Sequence, residues 1–232
     1  MLRLSLFDSN FKFESSRPSQ LTATESVQWH GDTLVSFSRL NTPSAFEFPL
    51  HLTTIASEKP YSFSLDPHLT GGRNERHYPT VVGRYLCTAR SARLAVICST
   101  SPRGPAIDFS FRPSWFRDNA QLPPTGDVPA SARVRALVPL NDTRVAIVVV
   151  VPNAEWRRAI EVKRGSDGVQ TVITDLDAYW DSIILVVDIA EARLIALGRV
   201  LQAVERSPGI GYVASLTADE TQVALWRVHV GR

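Results

Sequence analysis

Val138-Pro-Leu-Asn-Asp-Thr-Arg-Val-Ala-Ile147 reads as two short apolar strands around a polar turn, and Gln28-Trp-His-Gly-Asp-Thr-Leu-Val-Ser-Phe37 repeats its layout. Looser copies run over 85–97, turning near Ser91, and over 204–215, turning at Pro208-Gly209. A second hairpin type, a strand followed by a polar turn and a shorter strand, occurs at Leu2–Phe13, Leu50–Tyr61 and Ile183–Leu194. Residues 106–112 and 222–230 look like first strands of that second type. Alternation of the two types builds a four-stranded module of roughly fifty to seventy residues, the scale of a propeller blade.

With strands lettered a to d outward from the centre, the chain is expected to run as one β-propeller-like domain over 1–232. Residues 1–16 form a partial c–d blade, 24–65 a full blade, 80–116 a blade with a weakly signalled d, 133–200 a full blade, and 201–230 a final incomplete a–b–c. The expected fold class is therefore all-β: about four to five blades of four-stranded antiparallel sheet. A pair of β-sandwich domains uses the same strand signals and is the alternative fold. Only 190–204 has local helix propensity. The β-branched run Ile183–Asp188 before it makes Leu194–Gly198 a hairpin partner instead. A start in mid-blade and a last blade short of a strand suggest that upstream sequence is missing. They also suggest open blade edges available for self-association.

Composition narrows the function classes. The 232 residues are 44% hydrophobic with a net charge of +2, which describes a globular chain without the concentrated basic face of a nucleic-acid binder. Arginine dominates the basic residues, with lysine only at Lys12, Lys59 and Lys163, a bias read as genomic composition before phosphate recognition. The longest apolar run, Val145–Val151, is strand-length and ends at Pro152, so no membrane span is expected. The amino-terminal Leu2-Arg-Leu-Ser-Leu-Phe7 alternates like a strand and lacks the pattern of an export signal. Cys87 and Cys98 fall on opposite arms of a hairpin. A cross-strand disulfide is conceivable there, and buried free thiols are the favoured reading.

Tyr179-Trp-Asp-Ser-Ile-Ile-Leu-Val-Val-Asp188, then Ala196-Leu-Gly-Arg-Val200, then Val223-Ala-Leu-Trp-Arg-Val228 together resemble bacterial six-bladed β-propeller proteins of uncharacterised function. The resemblance covers about the last hundred residues well and the remainder weakly. It implies a six-bladed ring and an extracytoplasmic location, usually reached through an export signal.

The usual chemical signatures are missing from the sequence. His30, His51, His68, His77 and His229 have no metal-ligand spacing, and no Cys-x-x-Cys occurs. Asp175, Asp177 and Asp181 cluster before a strand without the glycine and terminal glutamate of a calcium loop, and are read as turn-forming loop residues. Neither Gly-x-Ser-x-Gly nor a phosphate loop is present. No catalytic residue, metal or cofactor is expected.

The connections carry the functional signal. The a–b and c–d turns are tight, whereas 41–49, 66–79, 113–132 and 152–181 are long and fall on the opposite face of an up-and-down blade. Long connections in a compact domain are commonly functional. Arg73, Arg76 and His77 in one, and Trp156, Arg157 and Arg158 in another, are the candidate ligand contacts, because Trp and Arg dominate binding hot spots. Trp115-Phe116-Arg117 opens a third, and residues 159–174 can form an inserted hairpin flap. The competing reading of the tryptophans is that they tuck under their own loops as staples. The expectation is a non-catalytic scaffold engaging a protein, peptide or glycan. A metal-dependent sugar-lactone hydrolase is the first alternative and a truncated propeller without activity the second.

Overall fold

Val145 to Val151 has the length and β-branching of a strand but no polar alternation, so both of its faces must be covered. The computed structural model covers them. It describes backbone alone for the strands within 3–64 and for 77 and 79. It describes backbone and side chains for 78, 80–100, 107–117, 122–166, 168–204, 210–216 and 223–230. Strands make up 58% and helix 6% of the interpretable region, an all-β protein of propeller-like four-stranded antiparallel sheets. No helix among the described residues is long and apolar enough to cross a membrane.

Two compact units divide the chain, Met1–Arg73 and Asn74–Arg232. The first contains β1 (Arg3–Phe7), β2 (Phe13–Pro18), β3 (Thr24–His30), β4 (Thr33–Ser38), β5 (Leu40–Asn41), β6 (Phe46–Glu47), β7 (Pro49–Thr54) and β8 (Tyr61–Ser64). Strands β3-β4-β7-β8 form a four-stranded meander, the a–b–c–d module expected over 24–65. Strands β1 and β2 pair separately, and β5 and β6 form a small hairpin inside the connection between β4 and β7.

The second unit begins with β9 (His77–Val82), β10 (Tyr85–Arg90), β11 (Arg93–Ser99) and β12 (Ile107–Ser110), again a sequential meander. The hairpin over 85–97 is thus the middle pair of its module, not the first pair expected from the repeat. The true first strand is His77–Val82. Pro79 disguises it, since proline is tolerated at an edge position where its missing N–H leaves no ladder bond unmade.

The third module is β13 (Arg133–Pro139), β14 (Arg144–Pro152), β17 (Trp180–Asp188) and β18 (Arg193–Val200). Between β14 and β17 lie a 3-10 turn (Trp156–Ala159), the hairpin β15 (Ile160–Gly165) and β16 (Gly168–Ile173), and the one-turn helix α1 (Leu176–Tyr179). Strands β19 (Tyr212–Leu216) and β20 (Val223–Arg227) follow as a pair. The turn expected at Pro208-Gly209 lies outside the described residues.

Side chains of β14 go alternately to two cores. Val145, Ile147 and Val149 pack with Val82, Leu94, Val96 and Phe109 of the preceding sheet. Ala146 and Val148 pack with Val204 and Val213 on the other side. Ile147 is fully buried, so truncation to alanine would cost about 2–5 kcal/mol.

Backbone hydrogen bonds tie the modules at both ends. At the tight-turn end, Asn141 Oδ1 accepts from Thr143 N at 2.9 Å and Arg144 N at 2.8 Å, pinning the β13–β14 turn. Ile189 N of the β17–β18 turn donates to Thr143 O at 2.8 Å, and Gly211 N donates to Pro139 O at 2.8 Å. At the opposite end Val134 N donates to Ser91 O at 3.0 Å.

Gly83 occupies the β9–β10 turn at φ +54°, and a Cβ there would stand 2.3 Å from Asp142 O. Only glycine combines that dihedral with so close an approach to the neighbouring turn. Gly83→Ala should therefore cost about 3 kcal/mol or more through strain and displacement of the Asn141–Arg144 turn. Chemical denaturation measures the loss, and a change under about 1 kcal/mol contradicts the contact.

Cys87 and Cys98 are directly opposite in β10 and β11, with Cα atoms 4.1 Å apart, and form a disulfide rather than the free thiols favoured from composition. The register supplies the reason: facing residues on adjacent strands are already within bridging reach. The bridge closes a loop with a sequence separation of 11 and is fully buried. Cys87→Ala combined with Cys98→Ala should lower unfolding free energy by about 2–4 kcal/mol. Equal stability of the double variant and the wild type would contradict the bridge.

Candidate functional site

Two long connections of the second unit meet at the end opposite the tight turns. The first leaves β12 with Phe111 N donating to Leu94 O at 2.9 Å, then turns with Phe116 N donating to Pro113 O at 3.1 Å. Phe116 is buried in the core between the sheets. Anchoring that residue turns its neighbours outward: Trp115 is 37% exposed and Arg117 is exposed. The two rings stand edge to face with centroids 6.1 Å apart, so Trp115 sits on a rigid base. Further along, Ser131 N donates to Leu122 O at 3.2 Å while Ser131 Oγ accepts from Leu122 N at 3.3 Å, closing a strap over 122–131.

The second connection is folded around aromatic side chains. Trp156 is 7% exposed and packs edge to face on Tyr179 at 6.1 Å, and Tyr179 packs on Trp180 at 4.6 Å. Ile160 and Ile173, paired at the base of β15–β16, pack on the same cluster. The hairpin expected over 159–174 is present as β15–β16, and beyond that base it is mostly exposed. Asp175 Oδ1 accepts from Ala178 N at 2.9 Å and caps α1, and Asn153 N donates to Tyr179 O at 2.9 Å. Asp181, expected in a solvated loop, instead lies on β17 with its side chain 6% exposed, where Arg199 of β18 donates through Nε at 2.9 Å and also through Nη2.

A buried hydrogen bond joins the connections: Ala130 N donates to Tyr179 Oη at 2.6 Å. Between them opens a cleft of about 640 Å³. Trp115, Arg117 and Ser131 contribute from the first connection, Asn153 and Trp156 from the second, and Arg199 from β18. Val151, Pro152, Ile183 and Ala132 supply apolar wall.

The expected contact residues divide. Trp156 lines the cleft but is mainly a packing element of the aromatic cluster. The Arg157 guanidinium lies 4.8 Å over the Trp156 ring and donates to Asp127 O at 3.3 Å, holding the strap. Arg158 pairs with Glu155 at 2.6 Å, both side chains largely in solvent, an arrangement of little energetic weight. Arg73 and Arg76 lie outside the described residues, and His77 belongs to strand β9, not to a loop. Trp115 and Arg117, noticed in the sequence only as the opening of a connection, are the more exposed pair, and Arg199 was missed. Nothing in Pro113-Ser-Trp-Phe-Arg117 tells which of its two aromatic rings turns outward. A strand-end arginine has none.

Among the described residues no group of three or more His, Cys, Asp or Glu side chains comes together. Comparison with known proteins matches the chain to no family model and to no curated protein.

Burial pushes the Tyr179 phenol above its ordinary value of 10.0, against the Ala130 hydrogen bond and the Arg133 charge, which both favour the phenolate. A raised pKa in the folded state means that the neutral phenol's stabilisation is complete below about pH 10 and lost as the pH rises through the folded value. Tyr179→Phe leaves the buried Ala130 N–H without its acceptor and should cost about 1–3 kcal/mol at neutral pH. It should also flatten the alkaline fall in stability above pH 10. Denaturation at pH 7 and pH 11 checks both, and an unchanged alkaline slope in the variant contradicts the assignment.

Proposed function

We propose that the protein is a non-catalytic binding scaffold whose long-connection end takes a ligand in the cleft between Trp115 and Arg199. The observation that carries this reading is the presentation of Trp115. An aromatic ring is braced on a buried phenylalanine and left exposed beside Arg117 at the mouth of a preformed cleft. A rigid exposed tryptophan loses little conformational entropy on binding, and Trp and Arg are the residue types that dominate hot spots. The cleft volume falls within the range of small-ligand sites. Its described wall offers apolar surface, hydroxyl, amide and guanidinium groups, a set suited to recognition.

The modules are read as blades of a larger ring, six-bladed on the resemblance, supported by three complete four-stranded meanders together with the β1–β2 and β19–β20 pairs. The buried Cys87–Cys98 bridge supports an oxidising, extracytoplasmic setting.

Panels of peptides and oligosaccharides screened by tryptophan fluorescence test the binding reading. A ligand in the cleft should perturb Trp115 emission. Trp115→Ala should weaken that ligand by about 2 kcal/mol or more while changing folding stability by no more than about 0.5 kcal/mol. A ligand whose affinity is indifferent to Trp115 places binding elsewhere and ends this reading.

A further inference from the structure

Hydrogen-bonding capacity in the cleft is unevenly spent. Asn153 uses Oδ1 on Glu155 N at 2.8 Å and Nδ2 on Ala178 O, and Ser131 Oγ accepts from Leu122 N. The arginines are less committed. Arg199 directs Nε and Nη2 at one oxygen of Asp181, which leaves Nη1 over. Arg117 has no ion-pair or hydrogen-bond partner among the described residues. The described wall contains no Asp or Glu, and the nearby Asp181 carboxylate is buried and occupied by Arg199. The described wall therefore offers donors with net positive charge, set among Trp115, Val151, Pro152 and Ile183.

A neutral sugar carries hydroxyls that both donate and accept, and here it would meet few open acceptors. A carboxylate accepts only, and it matches the guanidinium fork. A cleft of about 640 Å³ admits a few residues rather than a protein face. A chain end brings a carboxylate and an apolar side chain together in one residue. An internal acidic residue would require the peptide to leave the cleft in both directions.

We propose that the cleft binds the carboxyl terminus of a peptide, with the terminal carboxylate on Arg117 and an apolar last side chain against Trp115 and Ile183. This rests on the binding reading of the same cleft.

The test uses the full chain and equimolar acetyl-X-X-Leu tripeptide pools as free acids and as carboxamides, with an acetyl-X-X-Glu carboxamide pool and cellotetraose as further arms. The indole N–H signal of Trp115, assigned with Trp115→Phe, reports occupancy. Free acids should bind at least tenfold more tightly than carboxamides, and Arg117→Gln should abolish that difference while leaving the remaining spectrum in place. Equal binding of acid and amide overturns the proposal, as does a Glu-carboxamide pool that binds as tightly as the free acid. Peptides without effect alongside a cellotetraose shift at Trp115 refute the carboxyl-terminal ligand and leave the binding reading standing. No shift from any arm refutes both.

Discussion

Everything in the second unit depends on β14 and β17 being apolar on both faces. A strand pair of this kind cannot lie at a surface: Val145, Ile147 and Val149 demand one partner layer while Ala146 and Val148 demand another. The preceding meander supplies the first layer, and Val204 with Val213 supply part of the second. Face-to-face packing of successive antiparallel meanders is also how a propeller is built.

That stacking separates the two ends of the sheets into different roles. The Asn141–Arg144 turn accepts the Ile189 N–H, and its Asp142 backbone stands against Gly83, which leaves no room for elaboration there. At the other end the strands diverge into connections that must satisfy their own backbone groups. They do so with side chains: Asn153, Ser131, Asp175 and the Tyr179 hydroxyl each take a backbone N–H. The cleft is the space left between two connections held in this way, so its shape is set before any ligand arrives. Pre-organisation of that kind lowers the ordering cost of binding.

Much of this architecture was legible in the chain. The hairpin patterns over 28–37 and 138–147 correspond to the pairs β3–β4 and β13–β14, and the pattern over 159–174 to β15–β16, because these signals are local and periodic. Strand β9 was hidden because Pro79 and His77 look like loop, and only its edge position makes them acceptable. The disulfide depended on a register that places Cys87 opposite Cys98, which two cysteines of separation 11 do not by themselves dictate. The site was harder still. Ala130 and Tyr179 are 49 residues apart, and nothing near either residue announces their hydrogen bond. Trp156 stood out as a tryptophan beside two arginines, yet the packing of Tyr179 and Trp180 turned it inward and left Trp115 as the exposed ring of the cleft wall.

Residue-resolved hydrogen exchange tests most directly whether the doubly covered sheet is the foundation of this unit. Amides buried between two packed layers open only with global unfolding, whereas exposed hairpins open locally. The slowest exchange should fall on Val145–Val150 and Ile183–Val187, with residues 161–165 of β15 and 168–170 of β16 far faster. Exchange in β14 as rapid as in the β15–β16 hairpin would mean that β14 is covered on one face only, and the account of both the fold and the cleft built on it would be wrong.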